Sequence, residues 1–115
     1  MKIIILKEPI TLSDVAALAK DQFGAMVKAT VDVERDVLAL GGELHSDEEA
    51  LLMEDGSEQG HLWGINIYPE KSGADRVEFD SMINIRPSQD NRSRGVENSS
   101  IRERILRIVS KLIRA

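Results

Sequence analysis

Apolar and polar side chains alternate over several stretches of the chain. From Ala25 to Val33, the residues Ala25, Val27, Ala29, Val31 and Val33 fall on one side, with Met26, Lys28, Thr30 and Asp32 on the other. Side chains of a strand project alternately to its two faces, so this is the pattern of a strand covered on one face. Glu34-Arg35-Asp36 interrupts it and Val37 to Leu40 resumes it before Gly41-Gly42, which predicts two strands joined by a tight turn. Lys2 to Leu6 is a short β-branched run with the character of a buried strand. Leu62 to Tyr68 alternates again, with Trp63, Ile65 and Ile67 opposite Gly64, Asn66 and Tyr68. A last strand is predicted over Val77 to Ile85, where Val77, Phe79, Ile83 and Ile85 oppose Glu78, Asp80, Met82, Asn84 and Arg86 until Pro87 ends it. If these last two strands pair, Asn66 and Tyr68 share a polar sheet face with Glu78, Asp80, Asn84 and Arg86.

Helical spacing occupies the gaps. Thr11 caps a helix over residues 12 to 23 carrying Leu12, Val15, Leu18, Ala19 and Phe23, which Gly24 stops. Ser46 with Glu49 reads as a capping box opening a short helix that Gly56 closes. Ser100 with Glu103 reads as another, starting a closing helix with Ile101, Ile105, Ile108 and Leu112 in one stripe. The predicted order is βαββαββα: an α+β, two-layer sandwich with helices on one face of a mixed, mostly antiparallel sheet of about five strands. At 115 residues the chain is expected to be one domain, 1–115. Of the four aromatics, Phe23, Trp63 and Phe79 are assigned to the core.

Charge changes this picture in one respect. Residues 1 to 85 hold 7 basic and 17 acidic side chains and residues 86 to 115 hold 8 and 3, so balances of −10 and +5 underlie the net −5. The acidic part argues against general nucleic-acid binding, and with few aromatics there is little to stack bases on. The basic end suits one anionic ligand, an acidic partner surface, or a second copy of the chain. With no cysteine, disulfides and a thiolate nucleophile are excluded. The start of the chain has no signal-like apolar stretch, so a cytoplasmic protein without a membrane segment is expected, and the Asn91-Arg92-Ser93 and Asn98-Ser99-Ser100 sequons are chance matches.

Three constellations carry candidate chemistry. The polar loop after Pro87 offers an anion site built from Asn84, Arg86, Ser88, Asn91, Arg92, Ser93 and Arg94, with Ser99 and Ser100 at the start of the closing helix. Arginine forks match phosphate or carboxylate in two-pronged fashion, and helix N-termini favour negative charge. Glu43, His45 and Asp47 alternate and, with Asp80, offer a second possibility, a metal-dependent hydrolase or nuclease; the capping role explains the acids without an ion, so no metal and no cofactor are expected. The third is a structural homodimer formed through the polar sheet face or the closing helix.

Five stretches together resemble a known family: Glu8 to Leu12, Gly41 to His45 (GGELH), Leu62 to Pro69 (LWGINIYP), Phe79 to Pro87 (FDSMINIRP) and Asn91 to Val96 (NRSRGV). They are similar to a family of small prokaryotic proteins known as a domain of unknown function. The resemblance implies a stand-alone domain of bacterial or archaeal origin and brings no activity, ligand or catalytic residue with it.

Overall fold

A computed structural model describes residues 2–115. Five strands form one sheet in the order β1-β4-β3-β5-β6, every neighbouring pair antiparallel: β1 (Ile4–Leu6), β3 (Val27–Asp32), β4 (Val37–Leu40), β5 (Leu62–Ile67) and β6 (Val77–Glu78). The two-residue strands β2 (Ile10–Thr11) and β7 (Ile113–Arg114) pair in parallel, apart from that sheet. The fold is α+β, with three helices: α1 (Leu12–Asp21), α2 (His45–Glu54) and α3 (Ser99–Leu112).

The alternation over residues 25 to 33 sets the layers. Val27, Ala29 and Val31 are fully buried and join Val15 and Ala19 of α1 with Ile105, Ile108, Val109 and Leu112 of α3 in the main core. The helices predicted for one face divide: α1 and α3 cover it, while α2 lies on the other, where Leu52 packs with Val37, Ala39 and Leu62. On that second face stand Lys28, Thr30, Gly64, Asn66 and Glu78, the polar row predicted for residues 66 and 78, with Lys28 opposite Asn66 and Asn66 opposite Glu78.

Local chemistry explains most boundaries. Thr11 Oγ1 accepts from Asp14 N while the Asp14 carboxylate accepts from Thr11 N, the expected capping box, and Gly24, at φ +88°, donates to Ala19 O to stop the helix. The β3–β4 turn is tied by Asp32, whose Oδ1 accepts from Glu34 N and Arg35 N and whose Oδ2 accepts from Ser57 Oγ at 2.6 Å.

Four further expectations need correction. The Ser46 capping box is absent: α2 starts at His45 after Leu44, with no side-chain cap bond. The Ser100 box is absent too, because Asn98 caps α3 by accepting from Ile101 N at 3.1 Å. Phe23 lies just beyond α1 and is 45% exposed, so it is not core. The strand predicted over Val77 to Ile85 ends at Glu78; Ser81 to Asn84 turn instead through a 3₁₀ segment, leaving Met82 at 65% exposure.

Candidate functional site

Two side-chain amides shape the segment that replaces the missing strand. Asn84 is fully buried; its Oδ1 accepts from Gly64 N at 2.8 Å, and its Nδ2 donates to Gly64 O at 3.0 Å and to Arg94 O at 2.9 Å. Asn91, 2% exposed, donates from Nδ2 to Asn84 O and Gly95 O and accepts from Glu97 N. Arg86 stacks 4.2 Å from the Trp63 ring and donates to Gln59 O at 2.6 Å and to Leu62 O. The loop that follows already holds an anion of its own: the Glu97 carboxylate accepts from Arg92 N at 2.8 Å and Ser93 N at 2.9 Å, which lowers its pKa. Asn84, Arg86 and Asn91 are therefore occupied in building the fold. Ser88, Arg92, Ser93, Ser99 and Ser100 are exposed.

Arg94 alone of the predicted set reaches a cleft of about 270 Å³ between the polar sheet face, the start of α2 and residues 80 to 83. Lys28, His45, Asn66, Asp80 and Ser81 line it with Arg94, and the exposed side chains of Leu44 and Met82 form an apolar rim. Gly64 lets the walls close on the sheet: a Cβ there would stand 2.5 Å from the Ser81 side chain and 3.1 Å from His45 Cδ2.

Several polar groups at this cleft lack protein partners. Arg94 gives Nε to Asp80 Oδ1 at 2.6 Å, and its terminal nitrogens make no hydrogen bond among the described residues. That pair is about half exposed and contributes under about 1 kcal/mol, so little resists its rearrangement around a ligand. Lys28 has no carboxylate partner among the described residues; its ammonium sits 5.6 Å from the Phe23 ring. His45 is 7% exposed and its Nε2 lies 2.8 Å from Ile65 O. A carbonyl only accepts, so Nε2 carries the proton and the neutral ring presents Nδ1 as an acceptor. Burial lowers its pKa, with Lys28 acting in the same direction, which keeps the imidazole neutral at pH 7.

Asn66, 7% exposed, is oriented by its neighbour. Glu78 Oε1 accepts from Asn66 Nδ2 at 2.8 Å and from the Tyr68 hydroxyl at 3.2 Å, so the amide cannot be turned round without setting oxygen against oxygen. Asn66 Oδ1 is then a buried acceptor with no donor, a deficit of roughly 1–3 kcal/mol.

Beneath the cleft Glu48 points inward from α2 to the sheet. It is fully buried, accepting from Gly42 N at 2.9 Å and lying 3.1 Å from Thr30 Oγ1, which itself is 3.4 Å from His45 O. Desolvation pushes its pKa up to about 9, against which the bonds from Gly42 and Thr30 act weakly. A protonated carboxyl donating to Thr30, which in turn donates to His45 O, fits this geometry without a counterion.

Of the residues weighed for metal chemistry, His45 and Asp80 share the cleft, whereas Glu43 and Asp47 are exposed elsewhere. Among the described residues no group of three or more His, Asp or Glu side chains is placed to hold an ion. Larger hollows lie elsewhere among the described residues; one along α3 sets Arg104, Arg107 and Lys111 near Asp36, all exposed. Sequence reasoning passed over Lys28 and Glu48. Lys28 showed only as a polar position on a strand, and Glu48 as an ordinary first-turn acid of a helix.

No helix among the described residues is long and apolar enough to cross a membrane. No curated protein and no solved structure matches the chain. Over residues 4–112 it matches the model of a family described as a protein of unknown function, DUF5674, and the chain belongs to that family.

Proposed function

We propose that the protein is a binding module for a small anionic ligand, a carboxylate or phosphate, held in the cleft between Lys28 and Arg94. The observation that carries this reading is the meeting of two cations with unused donors in one cleft, with Asp80 the only acid lining it among the described residues. An ammonium and an arginine fork without partners lose hydration on partial burial and recover it from an anion. Neutral His45 supports the same reading, since an imidazolium would repel both cations. A volume near 270 Å³ suits a compact ligand, being at the lower end for small-molecule sites.

Calorimetric titration with small carboxylates and inorganic phosphate tests the proposal, on the parent chain and on a Lys28→Ala, Arg94→Ala double variant. The parent is expected to bind at least one of them, and the double variant to lose affinity by about tenfold or more, given roughly 1.5–3 kcal/mol for each charge-assisted bond. An Arg104→Ala, Arg107→Ala variant should bind as the parent does. Equal affinity in the Lys28, Arg94 variant, or loss only in the α3 variant, would remove the cleft from consideration.

A further inference from the structure

We infer that the cleft takes a free α-amino acid with an apolar side chain, a reading that rests on the anion site proposed above and extends it. An anion alone answers Lys28 and Arg94 but leaves the acceptors at the cleft without donors. Asn66 Oδ1, fixed as an acceptor by Glu78, is buried without a donor, and two further residues with spare acceptors line the cleft with it: His45, whose Nε2–H is taken by Ile65 O, and Asp80, whose Oδ2 makes no hydrogen bond among the described residues while Oδ1 holds Arg94. A primary ammonium has three N–H donors and no acceptor, the complement of this set. A carboxylate and an ammonium required together within about 270 Å³ belong on one small molecule. The rest of the lining includes Ser46 and Ser81 beside the apolar Leu44, Met82 and Ile83, and Leu44 and Met82, 55% and 65% exposed, would be covered by an aliphatic side chain.

A peptide C-terminus offers the same carboxylate with a single amide N–H, and a simple fatty carboxylate offers no donor. The experiment therefore compares L-leucine, L-valine and L-methionine with 4-methylpentanoate, N-acetyl-L-leucine and L-leucinamide by isothermal titration to the full chain. At least one free amino acid is expected to bind about tenfold or more tightly than 4-methylpentanoate and N-acetyl-leucine, and leucinamide is expected to bind weakly. Asn66→Ala should remove most of that preference while leaving 4-methylpentanoate binding unchanged, with its melting temperature checked so that misfolding is seen. If 4-methylpentanoate or N-acetyl-leucine binds as well as the amino acids, the anion site stands and the amino-acid inference falls. If none of the six ligands binds, the inference falls, while phosphate binding sensitive to Lys28 and Arg94 would still sustain the anion site.

Discussion

Replacing Glu48 with Gln should make the protein more stable at alkaline pH, against the usual result for a buried polar substitution. In the native chain this carboxyl holds its proton up to about pH 9, whereas in the unfolded chain it ionises near its ordinary 4.5. Between those values the native state binds the extra proton, so the contribution is fully present below about 4.5 and is lost as pH rises toward about 9. The loss runs at about 1.36 kcal/mol per pH unit, or roughly 2–3 kcal/mol between pH 7 and 9. Four other shifted groups act outside that interval. His45, with its pKa lowered, costs stability only as pH falls below 6.5, and Asp55 and Glu97, also lowered, only in the acid range. Tyr68, raised from 10, matters only above that value. Glutamine keeps the geometry: its oxygen accepts from Gly42 N and its NH₂ donates to Thr30 Oγ1. Urea midpoints at pH 7, 8 and 9 should fall for the parent and stay nearly level for Glu48→Gln, with the variant ahead by about 2 kcal/mol or more at pH 9. Parallel pH slopes for the two proteins would refute a neutral Glu48.

Two further substitutions test the frame of the site. Asn84→Ala strips partners from Gly64 N, Gly64 O and Arg94 O, and should cost roughly 2–5 kcal/mol in denaturant unfolding and expose the Gly64 amide to hydrogen exchange; an exchange rate unchanged from the parent would contradict the clip. Ile105→Ala, at a fully buried position of α3, should cost roughly 2–5 kcal/mol, and wild-type stability in that variant would remove α3 from the core.

Periodicity revealed the elements whose burial follows it. Val27, Ala29 and Val31 alternate because one face of β3 meets α1 and α3, and the stripe Ile105, Ile108, Leu112 lies on the matching face of α3. The Thr11 cap was legible because its bonds span only three residues. The segment from Phe79 to Val96 misled for a physical reason: its alternation resembles a strand, but Asn84 and Asn91 use their side-chain amides for bonds that a strand would make with its backbone. Nothing in an Asn-Ile-Arg run says which of these two partners its backbone neighbours will meet. The cleft was hidden for a related reason. Asn66 with Glu78 followed from pairing two neighbouring strands, whereas Lys28, His45 and Arg94 come from a strand, a helix start and a loop 66 positions apart at the extremes, joined only by tertiary packing. Glu48 cannot be told in the sequence from a first-turn acid, because the face α2 turns toward Thr30 depends on the path of Gly41-Gly42, where a Cβ on Gly42 would stand 2.9 Å from Glu48 Cγ.

The bonds from Arg86 and Asn84 to β5 bear on how the protein behaves in a crowd. Along the outer side of β5 the carbonyl of Leu62 is taken by Arg86, both backbone groups of Gly64 by Asn84, and Asn66 by the two-residue β6. An apolar strand such as Leu-Trp-Gly-Ile-Asn-Ile, left open, is a template on which another chain can add in amyloid fashion. Here side chains occupy the positions of the next strand, so the ladder is terminated within the molecule and offers no row of bare N–H and C=O groups for an intruder. The other margin of the sheet, at Ile4–Leu6 of β1, is left open to β-strand addition, because no side chain among the described residues caps the backbone there.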